Sequence, residues 1–365
     1  MDRAAGDGRD LGRTLSLDAW RSREPRESDR SELVRVFNAA FRRDDPSSVL
    51  GWRYDRNPHG RALTRIAVDE ADRLVGAYSF APRRFVVEGR SVAVLQASDA
   101  MVFPEWQRRG IFARLDEELS AEAASAGFPF AFAFCGRRSR KTFLANGWRP
   151  IAPYRTWTRV LRAARPAFEA RRSDGRLRRA LVPLEALSAR AADRGIRRAL
   201  EGFDDRPVDR FGDEVARFPA PAQRIFGERD AAWLNWRYLE TPRRAHRPFR
   251  LLRRGEVVGF YDVECAGGRG WLLDARGADD ACARAALAAA VERLRALGAA
   301  AIQTTVVEGS YLDGRVADLG FRPPRDREPL PFIVRVLHAG AASDAALDAS
   351  SWYVLDGDRD AEGMS

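Results

Sequence analysis

The sequence predicts an α/β (α+β) chain made of two tandem domains of one design. Three observations predict it. Strand-like apolar runs alternate with amphipathic helical stretches along most of the chain. A set of short motifs recurs in the same order in the second half. The length, 365 residues, suits two domains, each large enough to bury a core.

The elements follow in order. Residues 1–30 are polar, charged and glycine-containing, and read as a disordered tail without the apolar core of a signal peptide. The stretch 31–41 reads as an opening amphipathic helix with Leu33, Val34 and Phe37 turned inward. Strands are expected over 62–68, 74–82 and 85–87, then a turn at Glu88-Gly89-Arg90 and a long strand over 91–103. That strand meets Pro104, a short polar loop ending in Gly110, and an amphipathic helix with Leu115 and Leu119 on one face. The aromatic run 128–134 reads as a buried strand. A short helix follows, stopped at Asn146-Gly147-Trp148, and a strand over 154–161 closes a first domain spanning 31–161. Residues 162–207 read as a partly helical, arginine-rich linker. A second domain is expected over 208–338, and a small-residue, acidic tail over 339–365 whose Trp352-Tyr353 docks back as an edge.

The repeat carries the tandem reading. Trp52-Arg53-Tyr54 recurs as Trp236-Arg237-Tyr238, and Leu74-Val75-Gly76-Ala77-Tyr78 as Val257-Val258-Gly259-Phe260-Tyr261. Ser98-Asp99-Ala100 is echoed by Leu273-Asp274-Ala275, and Asn146-Gly147-Trp148-Arg149 by Leu319-Gly320-Phe321-Arg322. Such duplicated Trp-Arg-Tyr elements read as packing pieces, their arginines capping or bridging the domains.

A loop that closes at a helix N-terminus leaves backbone N–H groups without partners, and with the helix dipole these make a site for phosphate. Gln107-Arg108-Arg109-Gly110-Ile111, with Val102-Phe103-Pro104 upstream, resembles the acetyl-CoA pyrophosphate loop of the GNAT superfamily of N-acyltransferases. The ending Phe143-Leu144-Ala145-Asn146-Gly147-Trp148 resembles that of the same family. The resemblance runs over roughly residues 30–338. It implies that each domain is a mixed central sheet flanked by helices, and that acetyl-CoA is the co-substrate of an acyl transfer to an amine. By the same resemblance Met101, Val102, Phe103, Gln107, Arg108, Arg109, Gly110, Ile111 and Phe112 would hold the cofactor, with Ser139 beside the pantetheine. Phe112 departs from the family's second small residue. Phe143 departs from its tyrosine acid. In the second copy Arg276-Gly277-Ala278-Asp279-Asp280-Ala281-Cys282 carries two acids where the loop should be and would repel a pyrophosphate, so only the first copy is expected to keep a cofactor loop.

Two residues stand out for the chemistry. Asp99 sits on the strand feeding the loop, where the family often places a carboxylate that accepts the amine proton. It could equally bond to nearby backbone or an arginine, a role that its repetition as Asp274 favours. Tyr78 could supply the proton that Phe143 cannot, or be a half-buried sheet tyrosine. Three histidines without ligand spacing and three cysteines without a CxxC give no metal site. The odd, widely spaced cysteines suit reduced thiols in the cytoplasm. The net charge of +10 comes almost wholly from arginine, with lysine only at Lys141, and the arginines are scattered among acids. That skew fits a GC-rich genome better than a nucleic-acid stripe, and no apolar run is long enough to cross a membrane. The expected partner is a small-molecule amine, an amino sugar among the compatible classes, met by a monomer or homodimer. A longer acyl or aminoacyl donor, and a silent acyl-CoA-binding or scaffolding role, stand as the alternatives.

Overall fold

The computed structural model describes residues 19–161, 190–218, 224–242, 245–324 and 328–359. The linker expected over 162–207 therefore lies partly outside the described residues, which resume with a helix over 190–199. The strands are β1 (Trp20–Arg23), β2 (Leu63–Asp69), β3 (Leu74–Val87), β4 (Arg90–Val102), β5 (Phe130–Phe134), β6 (Arg149–Val160), β7 (Phe203–Pro207), β8 (Ile225–Gly227), β9 (His246–Arg253), β10 (Glu256–Ala266), β11 (Arg269–Gly277), β12 (Ala301–Val307), β13 (Leu330–Val336) and β14 (Trp352–Tyr353). All fourteen belong to one mixed sheet, whose main path runs β1-β2-β3-β4-β5-β13-β6-β12-β11-β10-β9-β7.

That order shows an exchange. β5 of the first half pairs with β13 of the second, while β6 of the first half pairs with β12 of the second. β6 and β13 pair with each other at the centre. Each half thus ends in a strand that lies against the other half's sheet. The strand expected over 154–161 to close the first domain is instead a joint between the halves.

The centre has a local two-fold character. Trp52 stacks on Trp236, ring centroids 4.5 Å apart at 15°. Each indole N–H donates to the other's backbone carbonyl, at 2.8 and 3.0 Å. A stacked aromatic pair contributes roughly 0.5–1.5 kcal/mol beyond its buried area, and here both polar tips are satisfied as well. The bridging expected of the repeated arginines is done by these tryptophans. Arg53 instead bonds within its own half, and Arg237 donates to the Arg359 carbonyl.

Each half carries one long helix on its sheet. Ile111–Ser125 buries Ile111, Leu115, Leu119 and Ala123, the periodicity read from sequence. Asp280–Ala296 is alanine-rich and buries ten side chains against β10 and β11. Small side chains let this second helix sit so close that a Cβ on Gly277 would lie 2.2 Å from the Ala283 nitrogen.

Both expected tails are shorter than the sequence suggested. Residues 20–23 form β1 on β2, and Asp29 is buried against Arg23. At the other end Trp352 is fully enclosed by the rings of Phe85, Phe130, Phe132 and Phe332. β14 pairs in parallel with β8, and the chain then continues as a buried turn, Asp356–Asp358. The strand pair expected over 74–82 and 85–87 is one strand, β3, in which Pro82 and Arg83 pair with β4 without a break.

Candidate active site

β4 and β5 are parallel but pair only at Leu95–Ala131 and Gln96–Phe132. Beyond that register they part, and the edge of β4 from Ala97 to Val102 faces a wedge. A strand edge of this kind presents unpaired N–H and C=O groups to whatever enters. Among the described residues its one side-chain bond is from Gln107 Nε2 to the Val102 carbonyl, at 3.2 Å.

The loop of the motif stands at the mouth of this wedge. Pro104–Trp106 makes a single 3-10 turn, Arg108 and Gly110 adopt left-handed backbone at φ 65° and 75°, and the long helix starts at Ile111. Arg114 N is the first to reach a helical acceptor, Gly110 O at 3.0 Å. The N–H groups of Ile111, Phe112 and Ala113 precede any intrahelical acceptor, and no side chain caps them. Gln107, Arg108 and Gly110 are exposed, while Arg109 lies over the Trp106 ring. Bare N–H groups, the positive end of the helix dipole and the exposed Arg108 lie side by side at this helix start, an arrangement that suits an anion.

Phe112 turns away from that opening. Its ring meets Tyr78 and Phe143 edge to face, with centroids 5.1 and 5.0 Å away. These three rings floor the first helical turn, so the bulk that departs from the family pattern is taken up in the core. Ser139, at the start of the Arg140–Ala145 helix, donates to Gly136 O and lies 3.7 Å from the Cys135 sulfur at the end of β5. Burial pushes the Cys135 thiol up, so it is held protonated. Arg137, Arg138, Arg140 and Lys141 are exposed there, and Arg140 pairs with Glu328.

Asp99 and Tyr78 are not brought together. An irregularity lies between the pairs Ala77–Met101 and Ser79–Ser98, where Asp99 and Ala100 stand against Tyr78. Asp99 takes the left-handed conformation, φ 53°, that such a bulge asks for. It projects to the face of Met101, where Arg53 Nη1 donates at 2.5 Å and the Tyr54 hydroxyl at 2.9 Å. Burial, then the charge of Asp99, hold the Tyr54 phenol well above its ordinary value. Tyr78 lies on the other face, among Phe80, Phe112 and Phe143, next to the buried Asp116. Met101 is buried, and Val102 and Phe103 are half-buried at the wedge edge. Asp99 thus shares the face of Met101, as the sequence suggested, and Tyr78 is the enclosed sheet tyrosine that the sequence held open as its alternative.

The second half has the same frame with a different filling. β11 and β12 pair only from Arg269–Ala301 to Trp271–Gln303 and then part in the same way. Here the opening is occupied by the chain's own C-terminal segment. Tyr353 donates to Ala275 O at 2.5 Å, Thr305 to Asp356 at 2.5 Å, and a Cβ on Gly357 would lie 3.0 Å from Leu273 O. The helix N-terminus is closed too, because Asp279 accepts from the Cys282 N–H at 2.6 Å. Asp274 repeats Asp99, bonded by Tyr238 at 2.7 Å and Arg229 at 2.6 Å. Burial opposes the charge on Arg229, yet Asp274 and Asp358 hold its pKa above the ordinary value.

Sequence reasoning did not single out Arg83 or Arg229, which converge on the buried Asp358. Arg83 donates to Gln96 and Asp358, at 2.9 and 3.1 Å, and Gln96 donates to the Asp358 carbonyl at 2.6 Å.

Comparison with known proteins agrees with this geometry. Residues 21–148 match the acetyltransferase (GNAT) domain family, which covers β1 through the Gly147-Trp148 stop and so includes the loop and the wedge. The match covers about a third of the chain, its N-terminal part. Solved structures extend the likeness in fold to most of the chain. A GCN5-related N-acetyltransferase from Anabaena variabilis superimposes with a TM-score of 0.56 at 10% identity, over 87% of this chain and 73% of that one. The Saccharomyces cerevisiae N-myristoyltransferase, solved with bound myristoyl-CoA, gives 0.54 at 12%, over 87% and 78%. One from Kribbella flavida, also a GCN5-related N-acetyltransferase, gives 0.52 at 14%, over 87% and 71%. No curated protein matches the chain. Among the described residues no group of three or more His, Cys, Asp or Glu could hold a metal, and no helix is long and apolar enough to cross a membrane.

Proposed function

We propose that this protein is an N-acyltransferase that takes its acyl group from acetyl-CoA, bound in the β4–β5 wedge with its pyrophosphate on the Gln107–Phe112 loop. The single observation that carries the reading is the pairing of that open wedge with an uncapped helix N-terminus. In the second half both features are closed. An acceptor amine would attack the thioester carbon, forming the C–N bond as the C–S bond breaks. The proton lost by the amine leaves with the CoA thiolate. Unpaired N–H groups along the β4 edge are suited to the carbonyl oxygen as it gains charge.

Asp99 is assigned a positioning role within this scheme. Both its oxygens are bonded, one to Arg53 and the other to Tyr54, and Asp274 repeats the arrangement where the wedge is filled. It holds Arg53 in place at the wedge apex. Tyr78, enclosed on the opposite face, is left out of the proton path. A longer acyl chain is the second reading, favoured by the apolar Phe112–Tyr78–Phe143 floor, and acyl-chain competition separates it from acetyl.

The test is thiol release from acetyl-CoA over a panel of amines, in wild type and Gly110→Glu. An acid at Gly110 faces the pyrophosphate, and turnover is expected to fall at least ~100-fold, the effect of placing like charges together in a shielded site. Acetyl-CoA binding without turnover over a broad panel would favour the silent role. No binding at millimolar ligand would contradict the donor assignment.

A further inference from the structure

Gln96 is the last residue of β4 paired to β5, and it also lines a hollow on the Asp99 face of the sheet. The hollow therefore lies at the apex of the wedge, where the acyl end of a bound thioester would arrive. Its volume is about 30 Å³. Four guanidinium groups line it, those of Arg53, Arg83, Arg237 and Arg359, together with Gln96 and Ser98. Among the described residues no carboxylate lines it. Four separate parts of the chain supply the arginines: the turn after the first helices, β3, the second Trp-Arg-Tyr element and the C-terminal segment. Convergence of this kind is not a by-product of one helix face.

Carboxylates stand behind the wall and hold the arginines in place. Asp99 pairs with Arg53, Asp358 with Arg83, and Asp356 with Arg359 at 3.0 Å. Two polar groups are nevertheless left over. Ser98 Oγ and Arg83 Nε are buried with no hydrogen-bond partner among the described residues, on side chains that are each 4% exposed. A buried polar atom left unmade is destabilising, so such atoms in a native site point to a bound partner. Burial lowers Arg83 to about 10; Asp358 acts against that, while Arg229 and Arg237 add to it.

An anion would satisfy both leftovers, and the space limits which anion. A cavity of this size takes a group of a few heavy atoms, and planar guanidinium forks match a planar carboxylate in two-point contacts. We propose that the hollow binds the carboxylate of the acyl acceptor, so that the acceptor is an amine that also carries a carboxylate, as an amino acid does. The proposal rests on the acyl-transfer reading for the word acceptor, while the anion site rests on the hollow alone.

Saturation-transfer NMR on the full chain tests it with three pools: the standard amino acids, their carboxamides, and aminoalkyl phosphates. The expected result is binding from the amino-acid pool at least tenfold tighter than from the carboxamides, lost in Arg83→Gln. Should Arg83→Gln fail to fold, Ser98→Ala, which removes only the unpartnered hydroxyl, is expected to weaken the same binding at least severalfold. Equal binding of amino acids and carboxamides, binding of none of the pools, or a preference for the phosphates would overturn the proposal. Acetyl-CoA is titrated in parallel. Carboxylate binding without acetyl-CoA binding would sink the acyl-transfer reading and leave the anion site standing. Acetyl-CoA binding without a carboxylate preference would sink the anion site alone.

Discussion

The two wedges of this molecule share a frame and differ in what enters them. In the first half β4 and β5 part, and the next helix begins with bare N–H groups behind a loop with two left-handed residues. In the second half β11 and β12 part at the corresponding place, but Tyr353, Asp356 and Gly357 fill the gap and Asp279 caps the helix. A strand edge that parts from its neighbour must be satisfied by something. One copy answers with its own chain and becomes scaffold. The other leaves the edge for a ligand. The C-terminal segment is the piece that distinguishes the two copies.

The comparison breaks most readily at Trp352. Trp352→Ala removes a fully buried ring that anchors the plugging segment, and large-to-small changes of this kind destabilise by about 3–5 kcal/mol. Thermal melts should show that loss, while acetyl-CoA affinity of the remaining folded protein stays near wild type. A shift below 1 kcal/mol would mean the segment is not integral to the core built from Phe85, Phe130, Phe132 and Phe332.

Glycines in the two wedges sharpen the contrast. A Cβ at Gly357 would meet Tyr238 Oη at 2.3 Å, whereas one at Gly110 meets nothing within 4 Å. Gly357→Ala should therefore destabilise by about 1–3 kcal/mol through overpacking. For Gly110→Ala only the left-handed backbone resists, at about 1 kcal/mol. Denaturant titration of both variants measures the difference, and equal effects would contradict the picture of one filled and one open wedge.

The smallest expected effect is on pH. The seam between the halves includes Asp230, whose carboxyl is held well below the usual carboxylate range by the His59 ring 3.5 Å away, against the pull of burial, with the Trp233 N–H and Arg84 helping. A carboxylate lowered in the folded state adds stability above its unfolded value near pH 4, and loses it as pH falls further. Melting temperature should drop on acidification below about pH 4, and the slope should be shallower in Asp230→Asn. An unchanged slope would remove Asp230 from the account of the seam.

Much of this was legible in the residues. The loop Gln107–Gly110, the helix over Leu115 and Leu119, and the repeated Trp-Arg-Tyr announce themselves through local chemistry: a glycine that must turn left-handed, a 3.6-residue stripe, an identical tripeptide. The exchange of β6 and β13 was not legible, because nothing local states which of two similar sheets an apolar strand will join. The plug was hidden for another reason. Asp356 and Asp358 make 339–365 look solvated, and their burial is made tolerable by Arg83, Arg229 and Thr305 from distant parts of the chain together with the neighbouring Arg359. The bulge at Asp99 was not legible either, since nothing local states where β4 carries one residue more than β3.

The stoichiometry of acetyl-CoA binding tests the central claim most directly. Calorimetric titration of the full chain should find one site, lost in Gly110→Glu and kept in Asp279→Ala, which alters only the closed helix end of the second half. Two sites, or one site that survives Gly110→Glu, would place the cofactor in the wedge that the chain fills itself and contradict the account.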